Sequence, residues 1–176
     1  MKKLLAILLA ALMLLCSVSA LAEETIDWND DLINLAQSID SEAQFHPIAN
    51  LGVMMWIPTN FKEIQLSEED VNNGYIAYLI TEDNSSAVAI TYAEFEGTLG
   101  DMFETLEGME DTKNVTKGYI NGLPAVTFIS EENDSFVVVF STTGGYLLMF
   151  TFAPISDETF STVGALMAAS IQAVTE

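Results

Sequence analysis

Val115-Thr116-Lys117-Gly118-Tyr119-Ile120-Asn121-Gly122-Leu123-Pro124-Ala125-Val126-Thr127-Phe128-Ile129-Ser130 is the stretch whose reading decides the fold. Asn-Gly is the pair that most easily takes up the left-handed backbone of a tight hairpin turn. Residues 115–120 and 123–130 therefore read as two strands joined at Asn121 and Gly122. Pro124 has no N–H for a sheet ladder, which places it at an edge or in the first residues of its strand.

Working outward, Glu131-Glu132-Asn133-Asp134 turns the chain into a strand over 135–141, and Gly144-Gly145 turns it again into 146–152. These two strands are apolar on both faces, which requires cover on both sides of the sheet. Ser156 reads as the N-cap of a last helix, with Asp157 and Glu158 in its first turn. Phe160, Val163, Met167, Ile171 and Val174 form its inner stripe. Upstream, Thr98 opens a helix with Asp101 at the reciprocal capping position. Leu99, Met102, Phe103, Leu106 and Met109 line its buried side, while Asp101, Glu104, Glu107 and Glu110 fall on the outer side.

Residues 75–81 and 87–93 read as a further hairpin across the polar turn 82–86. In 87–93 the large side chains Val88, Ile90 and Tyr92 share one face. Ala87, Ala89, Thr91 and Ala93 share the other, small enough for a helix to lie close. An earlier strand, 52–57, is closed by Pro58, and 58–74 reads mostly as loop. Residues 28–43 repeat apolar positions at helical spacing after a polar lead over 23–27. Asp27 reads as the N-cap, and Asp30 and Asp31 sit at the positive end of the helix dipole. The order predicts an α+β fold, with a mainly antiparallel sheet of about six strands flanked by helices.

Residues 1–22 read as a cleaved signal peptide: Lys2 and Lys3, an uncharged apolar run over 4–15, then small residues ending at Ala20 and Ala22. The cut falls before Glu23, or after Ala20. The apolar run is short of the roughly 20 residues a bilayer core requires. Leu15 stands where a lipidation signal at Cys16 would carry a small residue. The expected location is secreted or extracytoplasmic, with no membrane span in the mature chain. The expected organisation is the leader, an N-terminal helical segment over 23–44, and a single α+β domain over 45–176, with no internal repeat.

The 176-residue chain carries 26 acidic residues, five lysines, no arginine, one histidine and one cysteine. Removing the leader leaves three lysines, Lys62, Lys113 and Lys117, and no cysteine. Disulfides, thiol nucleophiles and thiolate metal sites are then excluded from the mature chain. So negative a surface repels nucleic acid and anionic membranes and favours basic partners or cations.

Three pieces together resemble the Mog1/PsbP-like fold. They are Gly52-Val53-Met54-Met55-Trp56-Ile57-Pro58, then Asn121-Gly122-Leu123-Pro124-Ala125 leading into the strand meander, then the closing helix ending Met167-Ala168-Ala169-Ser170-Ile171. The likeness runs over about residues 45–173 and leaves the helix at 28–43 outside it. It implies an antiparallel sheet flanked by helices and a role as an accessory or protein-binding module. It carries no functional residue onto this chain. The basic surfaces some members use have no counterpart here.

His46, in Phe45-His46-Pro47 ahead of the first strand, is the one candidate general base. No nucleophile motif accompanies it, and no carboxylate pair stands out for glycoside hydrolysis. The acidic turns offer calcium ligands at Asp83, Glu131, Glu132 and Asp134, without EF-hand spacing. Met54, Met55, Trp56 and Met149 are adaptable apolar side chains suited to a ligand pocket or to a core.

The leading expectation is an exported non-catalytic module that binds a protein or surface component, with no cofactor. A carrier of a small apolar ligand would need an enclosed cavity between sheet and helix. A hydrolase would need His46 or paired acids gathered in one cleft.

Overall fold

The computed structural model describes residues 24–49, 51–142 and 145–174. The expected signal peptide with its expected cut at Ala20 or Ala22, Cys16, and the Gly144 half of the Gly144-Gly145 turn lie outside these residues. The chain runs β1 (Glu24–Ile26), α1 (Asp30–Ile39), β2 (Gln44–Pro47), β3 (Val53–Ile57), β4 (Phe61–Glu63), α2 (Glu68–Asn72), β5 (Tyr75–Thr81) and β6 (Ala87–Glu94). It continues α3 (Leu99–Glu107), β7 (Thr112–Ile120), β8 (Leu123–Ser130), β9 (Ser135–Ser141), β10 (Tyr146–Ala153), α4 (Glu158–Ala169) and β11 (Gln172–Ala173).

The large sheet has eight strands in the order β1-β7-β8-β9-β10-β6-β5-β4, and a second sheet has three, β11-β3-β2. The reading of about six antiparallel strands is therefore corrected to a mixed sheet of eight with a small sheet beside it. Every pairing in the large sheet is antiparallel except β1 with β7, where Glu24, Thr25 and Ile26 run parallel to Gly118, Tyr119 and Ile120. The strands missed from the sequence are short. β1, in the polar lead, and β4, in the stretch read as loop, have three residues each. Three residues are too few for an alternating pattern to register. The longer strands, β5 to β10, fall where the turn signals and apolar runs place them, except that β7 begins three residues earlier than expected, at Thr112.

Strand alternation gives the large sheet two faces. On one, Val88, Ile90, Val138, Phe140, Leu148, Phe150 and Phe152 meet Ala36 of α1, Met55 and Trp56 of β3, and Phe160, Leu166, Met167 and Ile171 at the C-terminal end. On the other, Leu99, Met102, Phe103 and Leu106 of α3 cover Val126, Phe128, Val137, Val139 and Leu147. Cover on both sides of β9 and β10 is thus supplied by α4 with the small sheet on one side and by α3 on the other. The small face of β6 is not where a helix lies. The helix after it, α3, packs on β7 and β8, where larger apolar partners wait, and Ala87, Ala89 and Thr91 stay half-buried.

The capping of α3 by Thr98 and Asp101 is reciprocal: the Asp101 backbone N–H donates to Thr98 Oγ1 at 3.2 Å, and the Thr98 N–H to Asp101 Oδ2 at 2.7 Å. Met109 lies beyond the helix end and is exposed. For α1 the N-cap is Asn29, not Asp27: its side chain accepts from the N–H groups of Asp31 and Leu32. That helix stops at Asp40, whose Oδ1 accepts from the N–H groups of Glu42 and Ala43 and turns the chain out. Residues 44–47 form β2, where the sequence reads as helix end and loop. For α4 the cap is Asp157, which accepts from the Phe160 N–H at 2.9 Å. Ser156 instead donates its N–H to Asp134 at 3.0 Å. Val174 leaves the inner stripe because the chain extends into β11 after Ile171.

Candidate functional site: the groove at Phe61

The face of the large sheet that carries the main core is left open along its β4 edge. The β4–β5 register sets Phe61 opposite Thr81 and Glu63 opposite Leu79, so Phe61 and Glu63 share a side with Leu79, and Lys62 points away from it. Across from them, β2 presents Gln44 and His46 while Phe45 turns inward to pack on Trp28. The cleft between has a volume of about 490 Å³, with Ile48, Ala77 and Leu79 buried at its floor and Glu42, His46 and Glu63 exposed at its rim. Its wall is fixed by Asp40, whose Oδ2 takes both the N–H and the hydroxyl of Thr59 at 2.7 Å. Those two bonds, the hydroxyl first, hold the Asp40 carboxyl below its ordinary pKa.

A second cleft of about 510 Å³ continues on the other side of Phe61. It lies between β4, the β5–β6 turn and the start of α4, and it is lined by Glu82, Asp83, Asp157, Phe160 and Val163 among others. Phe61 and Phe160 pack with ring centroids 6.3 Å apart. The turn is tied down by its own side chains: Asp83 Oδ1 accepts from Thr81 Oγ1 at 2.7 Å, Ser85 Oγ at 2.8 Å and the Ser85 N–H at 3.1 Å. The bond from Thr81, with those from Ser85 behind it, lowers the Asp83 pKa to about 2. Phe61 is common to both clefts, which flank it as the two halves of a groove with apolar side chains within and carboxylates at the rim.

His46 is exposed, lies opposite Met55 in the small sheet, and shares the first cleft with Glu42 and Glu63. The one hydroxyl lining that cleft, Thr59, is donated to Asp40 rather than to the imidazole. Met55 and Trp56 are buried in the core, while Met54 and Met149 are half-buried and belong to different sheets, so they do not form one pocket. Of the calcium candidates, Glu131 faces Lys113 Nζ at 3.5 Å and Glu132 is exposed. Asp134 holds the N–H and hydroxyl of Ser156. Asp83 lies in the other turn, at the same end of the sheet, with β10 between the two. No group of three or more His, Cys, Asp or Glu able to hold a metal ion occurs among the described residues, and none of their helices is long and apolar enough to cross a membrane.

Phe61, Glu42 and Glu63 are functional candidates that the sequence did not single out. One signal was present: Pro58-Thr59-Asn60 is turn chemistry, and an isolated aromatic directly after a turn marks a return to the core.

No family model matches the chain, and no curated protein matches it. Among solved structures, the solution structure of cyanobacterial PsbP (CyanoP) from Synechocystis sp. PCC 6803 is similar over 75% of this chain and 92% of its own. The TM-score is 0.54 at 13% sequence identity, so the likeness is one of fold, and the fold is PsbP-like.

Proposed function

We propose that this chain is an exported, non-catalytic module that binds a protein or a surface component. The observation that carries this reading is the groove at Phe61. Its apolar floor can seat a side chain from outside, and the hydroxyls of Thr59, Thr81 and Ser85 that line it are donated to the turn carboxylates of Asp40 and Asp83 rather than to His46. The PsbP-like architecture is compatible with it, although a fold hosts many functions. Recognition would follow the usual pattern of interfaces, with an apolar anchor in the desolvated centre and charges around it setting approach and selectivity. The carrier reading has less support. Phe150, Phe152, Met55, Ile90, Leu166, Met167 and Ile171 fill the space between sheet and helix, and both clefts open to solvent. Export rests on the basic, apolar and small-residue regions of 1–22.

A photo-cross-linking residue placed at Glu63, and another at Glu104 on the exposed side of α3 as control, test the reading in the native cell. A discrete adduct with one protein or envelope polymer from position 63 alone is the expected result. Identical adducts from both positions, or none from 63, would remove the groove as a binding site. N-terminal sequencing of the exported protein is expected to begin at Glu23.

A further inference from the structure

Resting on the protein-binding reading above, we infer that the groove takes a cationic segment of its partner: an extended stretch with a large apolar side chain seated at Phe61 and lysine or arginine on both sides of it. The charge of the lining points there. Five carboxylates border the two clefts, Glu42 and Glu63 on one side of Phe61 and Glu82, Asp83 and Asp157 on the other, and no lysine among the described residues borders either. The three described lysines are directed elsewhere. Lys62 stands on the opposite face of β4, Lys113 pairs with Glu131, and Lys117 lies on β7, near the far edge of the sheet.

Two of the five carboxylates are held by their own turns. Asp83 is bonded by Thr81 and Ser85, and Asp157 by the Phe160 N–H, which fixes both in direction. The other three, those of Glu42, Glu63 and Glu82, are exposed and make no hydrogen bond or ion pair among the described residues. Carboxylates around a low-dielectric floor focus the potential into the groove and raise the local concentration of cations. An anionic occupant would meet like charge at every point of the rim, a juxtaposition that suppresses wrong partners at interfaces. That argues against an anionic lipid headgroup and against a second copy of this acidic chain. The apolar floor separates the occupant from a simple cation. Phe61, Ile57 and Val163, all half-buried, offer it apolar surface that a polyamine or a metal ion would leave unused.

The test is fluorescence anisotropy of a labelled nine-residue peptide with lysine at alternate positions around a central phenylalanine, titrated with the exported protein. Saturable binding that weakens as salt rises is expected. The same peptide with serine at the centre should bind at least tenfold more weakly, and the version with glutamate for lysine should not bind. Glu63→Gln and Glu82→Gln should each weaken binding severalfold, while Glu104→Gln on α3 leaves it unchanged. These side chains are exposed, and an unchanged thermal melt verifies that each variant is folded. Equal binding of the phenylalanine and serine peptides, or of wild type and the two groove variants, would overturn the inference in favour of diffuse charge attraction. No peptide binding alongside a persistent cross-link from position 63 would overturn the cationic partner and leave the binding module standing. Loss of both would remove both.

Discussion

Asn121 does more than turn a hairpin. Its backbone at φ 48, followed by Gly122 at φ 78, is the double left-handed geometry for which an Asn-Gly pair is suited. Its side chain accepts the Trp28 N–H at 2.6 Å and donates to the carbonyls of Ala169 at 2.9 Å and Ile171 at 2.8 Å. Asn121→Gly keeps the turn and removes all three bonds, each worth about 0.5–1.5 kcal/mol. A loss of about 2–4 kcal/mol is expected in urea unfolding, without a change of fold by circular dichroism. The turn was legible because it is local. The three bonds were not, because their partners lie 93, 48 and 50 positions away. Asp83 gives a prediction in pH. Its pKa is lowered to about 2 in the fold, so its contribution is complete above the unfolded value near 4 and is lost as pH falls through the folded one. Asp83→Asn should flatten the fall of stability between about pH 4 and pH 2, as read by thermal melts across that window.

At the scale of elements, the sheet edges are the informative feature. The large sheet ends in β1 and β4, each only three residues long, so β7 and β5 extend past their edge partners. A bare strand edge invites pairing with another chain, and lysines, bulges and short strands are the usual defences. All three lysines among the described residues sit on these margins: Lys62 in β4, and Lys113 and Lys117 in the part of β7 that β1 does not reach. A register shift between Lys113 and Thr116, with Asn114 at φ 53, bends that part of β7 as well. Lys113→Thr with Lys117→Thr should leave the melting temperature within a few degrees and yet promote concentration-dependent association, visible by size exclusion. Unchanged elution at high concentration would sink this account. The margins also mark where the sequence stops being readable. Long strands such as β5, β8 and β9 show their boundaries in the turns that flank their apolar runs. An edge strand of three residues shows only once its neighbour is known. The groove at Phe61 lies on such a strand, and its one local signal, the turn ahead of Phe61, does not show which residues stand across from it.

For the molecule as a whole, the balance of charge works against the compact state. A formal net charge of −21 is crowded onto 176 residues with a single ion pair among the described ones. Self-repulsion of this kind opposes the compact state and is screened by salt over about 8 Å at physiological ionic strength. Raising sodium chloride from low millimolar to molar should lift the melting temperature by several degrees, at about 2–4 °C for each kcal/mol recovered. A melting temperature indifferent to salt would mean that the carboxylates are spaced widely enough not to interact. The one-sided cover of β5 and β6 was equally beyond the sequence. Both strands show a clear face, but which face α3 would choose depended on Val126, Phe128 and Val139 in strands that follow it in the chain.

The junction at Asn121 also has a lifetime. An asparagine followed by glycine is the pair in which the next backbone nitrogen most readily attacks the side-chain carbonyl, expelling ammonia and closing a cyclic imide that water then opens to aspartate or its isomer. In this fold the carbonyl oxygen is held by Trp28, and the amide nitrogen, the leaving group, is held by two carbonyls at the end of α4. Folding therefore shelters the very amide that fastens β1 and α4 to the hairpin, and each excursion into the unfolded state exposes it. Once converted to aspartate, the side chain could still accept the Trp28 N–H but would present a carboxylate to the carbonyls of Ala169 and Ile171 and release the end of α4. Ageing at this one position is thus a record of how often the protein has opened.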